Sequence, residues 1–195
     1  LTLIAMRFWT QFETGTLRNL RAILIGGTLV FLLGLVDDLK KPHGLHFKPK
    51  FGVQLAAAAV LLFFGIRIQF ITPDYVAAAV TLLWVVGITN ALNLIDIMDG
   101  LAVSQAVVAA LAFLAIALPS ERIYVNFAAA ALLGSALGFL PHNLSAKGKI
   151  FMGDSGSLPL GFVLAALAMC TDYSQVNPLG VFAPLVGLAL ERTMR

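Results

Sequence analysis

Four side chains in the middle of this chain have the types and the spacing to do chemistry. Asn90, Asn93, Asp96 and Asp99 fall every third residue within Asn90–Ala102, with two apolar residues in each gap. On a helix such residues are i,i+3 neighbours, so adjacent polar heads can converge on one ligand. The ladder drifts around the axis, because three residues fall short of a full turn. Apolar runs flank it, Val76–Ile88 before and Leu101–Leu118 after. Polar groups at the edge of an apolar layer are costly unless paired, hydrated or bound to a cation. Hydrogen bonding between helices would account for the amides. Two carboxylates within two turns argue for a cation, because like charges need compensation.

Two other stretches carry acids in similar settings. Asp37-Asp38 sits where an apolar run meets the basic loop Leu39–Lys50. A plain helix boundary and a site are both open there, although Asp at a helix C-terminus opposes the macrodipole. Lys149–Leu158 combines Asp154 with Gly153, Gly156, Ser155 and Ser157. Its glycines permit a turn whose N–H groups form an anion nest, and its serines can cap a helix beginning near Leu158. The two roles are compatible, since a helix N-terminus is itself an anion site. No Gly-Lys-Ser/Thr follows at P-loop spacing. Carboxylate oxygens, lysines and no Cys/His cluster point to Mg²⁺ or Mn²⁺ rather than zinc. His43, His46 and His142 read as solvated loop residues; Trp84, Phe63, Phe64 and Phe139 read as core or lipid-facing. Cys170 reads as an inert core thiol.

The elements that must position these groups are apolar. Of 195 residues, 59% are hydrophobic and 12% charged, against about 25% charged in ordinary globular domains. With a mean hydropathy of +0.92, the chain reads as an all-α, polytopic transmembrane bundle in a lipid bilayer, of about seven spans. The runs lack the period of two of an outer-membrane barrel. A formal charge of +3 without a dense basic stripe gives no reason to expect nucleic acid. The expected spans are the tail Leu1–Phe12, then Ala22–Val36, Phe51–Gly65 (extended by Ile66–Ile71), Tyr75–Thr89, Leu101–Leu118, Tyr124–Leu140, Leu158–Cys170 and Pro178–Leu190. Pro141–Ser157 reads as a loop. Counting crossings puts Leu39–Lys50, Asn90–Gly100, Pro141–Ser157 and the C-terminal tail on one side, with Lys40, Lys41, Lys48, Lys50, Lys147 and Lys149. The positive-inside bias makes that side cytoplasmic, with Arg18 and Arg21 as mild counter-evidence. Residues 1–195 read as one membrane domain, a fragment starting at Leu1.

Three blocks, in order, resemble the polyprenyl-phosphate N-acetylhexosamine-1-phosphate transferase family (glycosyltransferase family 4). They are Gly34-Leu-Val-Asp-Asp38 with Gly44-Leu45, Lys50 and Gln54; then Asn90–Ala102; then Phe151-Met-Gly-Asp-Ser-Gly-Ser-Leu158. The middle block is similar to the family signature Asn-Ala-x-Asn-Leu-x-Asp-x-x-Asp-Gly-Leu-Ala at every fixed position. The resemblance implies a bacterial inner-membrane enzyme with a cytoplasmic, Mg²⁺-dependent site. Such enzymes move a sugar-1-phosphate from a UDP-amino sugar to undecaprenyl phosphate, release UMP, and serve cell-wall or lipopolysaccharide synthesis. Carried over by position, Asp154 is the metal ligand. Asp37 and Asp38 handle the lipid phosphate, one of them as base or nucleophile, and Lys50 binds phosphate. Asn90, Asn93, Asp96 and Asp99 belong to the nucleotide–metal site, with Asn143 near uracil or metal; Gly153 and Ser155 contact substrate. A homodimer is left open. The family's C-terminal His-rich loop and first spans lie outside this sequence, and Pro184-Leu-Val-Gly187 has Gly where many members carry an acid.

Rival readings remain at this level. Within the family, the phospho-MurNAc-pentapeptide transferase of peptidoglycan synthesis uses the same motifs. In another class, a cation-coupled transporter could use the ladder as its ion site, although transporter sites lie near the bilayer midplane and these acids sit at one rim. A CDP-alcohol phosphotransferase would need Asp-Gly-x-x-Ala-Arg, and Asp99-Gly-Leu-Ala-Val-Ser departs from it.

Overall fold

The computed structural model describes residues 14–118 and 123–171, with side chains from residue 17 onward. The described residues form six α-helices and no strand: α1 (Thr14–Leu39), α2 (Phe47–Phe63), α3 (Asp74–Ile95), α4 (Leu101–Ala117), α5 (Ile123–Leu144) and α6 (Gly153–Cys170). Four of them, α1 from Leu17, α3, α5 and α6, are long and apolar enough to cross a membrane. Helix α4 is apolar but 17 residues long, about 26 Å at the usual rise. The expected spans Leu1–Phe12 and Pro178–Leu190 lie outside the described residues.

Several element boundaries differ from the sequence expectation. Helix α1 runs past Val36 to Leu39, three residues beyond the expected span, and Asp37 and Asp38 lie in its last turn, at the helix end where the sequence puts them. Helix α2 stops at Phe63, and residues 64–73 are turns rather than a helical extension to Ile71. The Asn/Asp ladder is not one helix: α3 ends at Ile95, Asp96 caps it, and Asp99 lies in the following turn. Gly100 closes that turn at φ +76°, a left-handed conformation costly for other residues. Helix α5 carries through Pro141 to Leu144, so His142 is helical. Helix α6 begins at Gly153, five residues before Leu158, and puts Asp154 in its first turn.

Helix α6 is the centre of the bundle. More than half of it is buried, and it packs on α1, α3, α4 and α5. Two glycines bring backbones together there. A Cβ on Gly34 would strike the Asp154 carbonyl, and one on Gly161 would meet the backbone of Thr89 at 2.7 Å. Small residues at helix crossings are the usual source of van der Waals packing in bilayers. Phe162, Leu158 and Leu167 fill the remaining centre, each at most 1% exposed. Cys170 is buried in the same cluster. Successive helices run antiparallel, so the C-ends of α1, α3 and α5 meet the N-ends of α2, α4 and α6. The contacts described next all lie at that one end.

Candidate active site at one end of the bundle

The site is assembled from the Gly34 crossing upward. Close approach at Gly34 puts the last turn of α1 beside the first turn of α6. The Asp38 carboxylate there accepts hydrogen bonds from the backbone N–H groups of Asp154 (3.1 Å) and Ser155 (2.8 Å). Those amides have no partner within α6, and Met152 at its N-cap supplies no side-chain bond. Asp38 therefore caps α6 from another helix, at the positive end of its dipole. Ser155 and Ser157 lie inside α6, so neither is its N-cap. The expected anion nest exists, and a protein carboxylate occupies it.

Asp37, one residue earlier, is 3% exposed. It accepts from the Leu45 N–H at 2.5 Å and from Lys50 Nζ at 2.8 Å. Lys50 also donates to Asp154 Oδ2 at 2.9 Å. One ammonium thus bridges carboxylates from α1 and α6. Asp154 Oδ1 accepts from Asn93 Nδ2 at 3.3 Å, and Asn93 reaches Ser157 Oγ at 2.8 Å as well. Lys41 pairs with Asp38 at 2.6 Å and approaches Asp154 Oδ1 at 3.9 Å. Its bond to Asp38, with the charges of Asp154 and Asp37 behind it, raises the Lys41 ammonium above its ordinary pKa.

The α3–α4 turn and the α5–α6 loop form the other wall. Asp99 is paired with Lys149, whose Nζ also lies 5.0 Å from the centre of the Phe151 ring. Asn143, 3% exposed, ties the two segments together. Its Oδ1 accepts from the Gly100 N–H at 2.6 Å, and its Nδ2 donates to the Ile150 carbonyl at 2.9 Å. Between the walls lies a cavity of about 340 Å³ lined by Lys41, Asn93, Asp96, Asp99, Asn143, Phe151, Gly153 and Asp154 among others. Asp96 faces it with no ion pair among the described residues. Burial, and then the carboxylates of Asp154 and Asp99, push the Asp96 carboxyl above the ordinary range.

Of the candidate residues, Asn93, Asp96, Asp99, Asn143, Gly153 and Asp154 line the cavity, while Lys50 and Asp38 bond directly to Asp154 and Asp37 bonds to Lys50. Asn90 points instead at Gln54, with its Nδ2 donating to Gln54 Oε1 at 2.6 Å. Ser155 contributes its backbone N–H. Lys41, Lys149, Phe151 and Ser157 were not singled out as site residues. Lys41 was legible as an i,i+3 partner of Asp38; Ser157 had no signal beyond its helix-capping chemistry. His43, His46 and His142 are exposed. Trp84 is half-buried and donates to the Ala165 carbonyl at 3.2 Å, and Phe63 is exposed; both fit the core or lipid-facing reading.

Comparison with known proteins agrees with the motif reading. Over 181 residues, 88% of its length, the chain is 33% identical to the Bacillus subtilis protein named probable undecaprenyl-phosphate N-acetylglucosaminyl 1-phosphate transferase, covering 49% of that protein. It is 37% identical over 164 residues to the decaprenyl-phosphate N-acetylglucosaminephosphotransferase of Mycobacterium tuberculosis, covering 74% of this chain and 40% of that one. It is 32% identical over 173 residues to the phospho-N-acetylmuramoyl-pentapeptide-transferase of Streptococcus sanguinis, covering 83% and 53%. The chain thus spans about half the length of the curated relatives it matches. The model of glycosyl transferase family 4 matches residues 20–172, a stretch that contains all three motif blocks and every residue lining the cavity. The chain belongs to glycosyl transferase family 4.

Proposed function

We propose that the whole protein transfers a sugar-1-phosphate, GlcNAc-1-phosphate foremost, from a UDP-amino sugar to undecaprenyl phosphate and releases UMP. The observation that carries this reading is the meeting of Asp37, Asp38, Asp96, Asp99 and Asp154 with Lys41 and Lys50 at one end of an apolar bundle. A lipid phosphate held in the bilayer can reach that end from the side, and a soluble nucleotide from the water. The site then faces the cytoplasm of the bacterial inner membrane, where UDP-sugars are made. Of the three relatives described above, the one matched over the largest share of this chain, 88%, is named for N-acetylglucosaminyl 1-phosphate transfer, which supports GlcNAc-phosphate over the MurNAc-pentapeptide donor, the second reading.

In the reaction, an oxygen of the lipid phosphate attacks the β-phosphorus of the UDP-sugar. The bond between that phosphorus and the bridging oxygen breaks, and UMP leaves with the electron pair. The attacking phosphate is already ionised near neutral pH, so no strong general base is required. Both Asp37 and Asp38 are held by hydrogen bonds to cationic or backbone donors, which makes each a poor free nucleophile. Their arrangement favours direct attack over an aspartyl-phosphosugar intermediate. Lys50 spends two of its three N–H donors on Asp37 and Asp154 and keeps the third for a phosphate oxygen. Lys41, half-exposed at the rim, can exchange Asp38 for a phosphate. Both lysines would offset charge growing in the transition state.

Mg²⁺, or Mn²⁺, fits the donor chemistry, which is all oxygen. Among the described residues no three His, Cys, Asp or Glu side chains are grouped to enclose a metal ion. Mg²⁺ commonly takes one or two carboxylates and completes its shell with substrate phosphates and water. Asp154 and Asp96 would hold it, since Asp96 carries the uncompensated charge. When bound, the ion would polarise the phosphoryl oxygens and neutralise the departing UMP. The test is UMP release by the purified whole protein from UDP-GlcNAc and undecaprenyl phosphate, with and without EDTA. Release that stops with EDTA and returns with Mg²⁺ is expected. No release with any UDP-amino sugar would overturn the reading.

A further inference from the structure

Gln54 is a polar side chain in the wrong place for α2. It is 2% exposed, on a face otherwise made of Ala57, Ala58 and Leu61. Its partner is Asn90 on α3, and the bonds are reciprocal. Asn90 Nδ2 donates to Gln54 Oε1 at 2.6 Å, and Gln54 Nε2 donates to Asn90 Oδ1 at 3.3 Å. Asn90 is itself held by a bond from Nδ2 to the Val86 carbonyl at 2.7 Å. Gln54 is buried and Asn90 half-buried; amides withdrawn from water in this way need partners, and these two are satisfied together in one alignment of the two helices.

That alignment matters one turn away. Lys50 precedes Gln54 by four residues and Asn93 follows Asn90 by three, so each lies on the same helix face as its amide neighbour. Lys50 donates to Asp154 Oδ2 at 2.9 Å, and Asn93 donates to Asp154 Oδ1 at 3.3 Å. The two helices thus carry two rungs: an amide pair inside the bundle and, above it, two donors on opposite oxygens of one carboxylate. Contacts among Ala and Val side chains would allow α2 to slide along α3 by a fraction of the 1.5 Å rise per residue. Such a slide would take Lys50 or Asn93 off Asp154.

We infer that Gln54 and Asn90 are positioning residues: their amide pair fixes the register of α2 against α3 so that Lys50 and Asn93 grip the two oxygens of Asp154 together. Neither residue is among those lining the cavity. The role in catalysis rests on the transferase reading, whereas the role in register does not.

The experiment uses the whole protein in detergent, with Gln54→Leu, Asn90→Leu, the double leucine variant, and the exchanged pair Gln54→Asn with Asn90→Gln. In a background freed of cysteine, Cys170→Ala together with replacement of any cysteine elsewhere in the whole protein, spin labels at exposed positions 55 on α2 and 83 on α3 report the distance between the helices. Each single leucine variant should broaden that distance distribution and lower kcat about tenfold or more while the protein stays folded. The double leucine variant should recover thermal stability, having no orphaned amide, but not kcat. The exchanged pair should recover both the narrow distribution and most of kcat. A distribution unchanged in Gln54→Leu overturns the inference whatever the activity does. Recovery of kcat in the double leucine variant overturns it too, because the pair would then serve packing alone. If the wild-type protein transfers no sugar-phosphate but the distribution broadens as expected, the transferase reading falls and the register assignment stands.

Discussion

Replacing Gly34 by alanine adds one methyl group where α1 and α6 touch. The new Cβ would meet the Asp154 carbonyl and lie 2.7 Å from Ser155 Cα. All the atoms it meets are backbone, so no side chain can swing away. An ordinary contact begins near 3.4 Å, and the Asp154 carbonyl carbon would lie at 2.5 Å with its oxygen nearer still, so the helices must part by about 1 Å. The Asp38 bonds to the Asp154 and Ser155 amides, at 3.1 and 2.8 Å, would then stretch to or beyond the limit for N–H···O bonds, about 3.2 Å. Overpacking of this kind costs roughly 1–3 kcal/mol, offset by about 1 kcal/mol of better helix propensity for alanine. The net loss of stability is therefore small, and the loss in rate should be larger. A misplacement near 1 Å around reacting groups can cost about 100-fold. The assay is kcat for UMP release beside thermal unfolding, with Gly87→Ala as control, since nothing lies within 4 Å of a Cβ there. A folded Gly34→Ala protein with wild-type kcat would refute the claim that this crossing sets the site.

Four further outcomes follow from the same geometry. Lys50→Ala should raise KM for both substrates and lower kcat, because one ammonium serves Asp37, Asp154 and the phosphate; unchanged constants would count against it. In the absence of divalent ions, Asp96→Asn should raise the melting temperature at neutral pH. Its folded-state pKa lies above the unfolded value, so ionisation in the fold is penalised, and that penalty is absent below the unfolded pKa and grows as pH rises through the folded one. The gain should therefore vanish in acid, which melting curves across pH would show. Asn143→Leu orphans the Gly100 N–H and the Ile150 carbonyl, at about 1–3 kcal/mol for each group, and should lower the melting temperature well beyond Gly34→Ala. Lys149→Ala breaks an exposed pair and should cost less than about 1 kcal/mol, again read by thermal unfolding.

The all-helical bundle was legible because long apolar runs leave a bilayer-spanning chain few alternatives. The grouping of Asp37, Asp38, Asp99 and Asp154 at one end followed from counting crossings, which needs only the order of spans. Local detail was less legible. The three-residue spacing of the ladder suggested one helix, yet α3 ends at Ile95 with Asp96 as its cap, and Gly100 at positive φ starts the next helix. Asp38 looked like a poor helix terminus because the sequence does not show that α6 brings its own N-terminus to meet it. The role of Asn90 could not be separated from that of Asn93, since both sit three residues from a neighbour. Only the position of Gln54 across the helix interface distinguishes them.

The account stands on Asp154, whose carboxylate accepts from Lys50 of α2 and Asn93 of α3 and whose backbone N–H donates to Asp38 of α1. The direct measurement is UMP release from UDP-GlcNAc and undecaprenyl phosphate by whole wild-type protein and by Asp154→Asn, with Mg²⁺ titrated in each. The account predicts Mg²⁺-dependent release by the wild type and none above background by a folded Asp154→Asn protein. Turnover by that variant at the wild-type rate and the same Mg²⁺ requirement would contradict it.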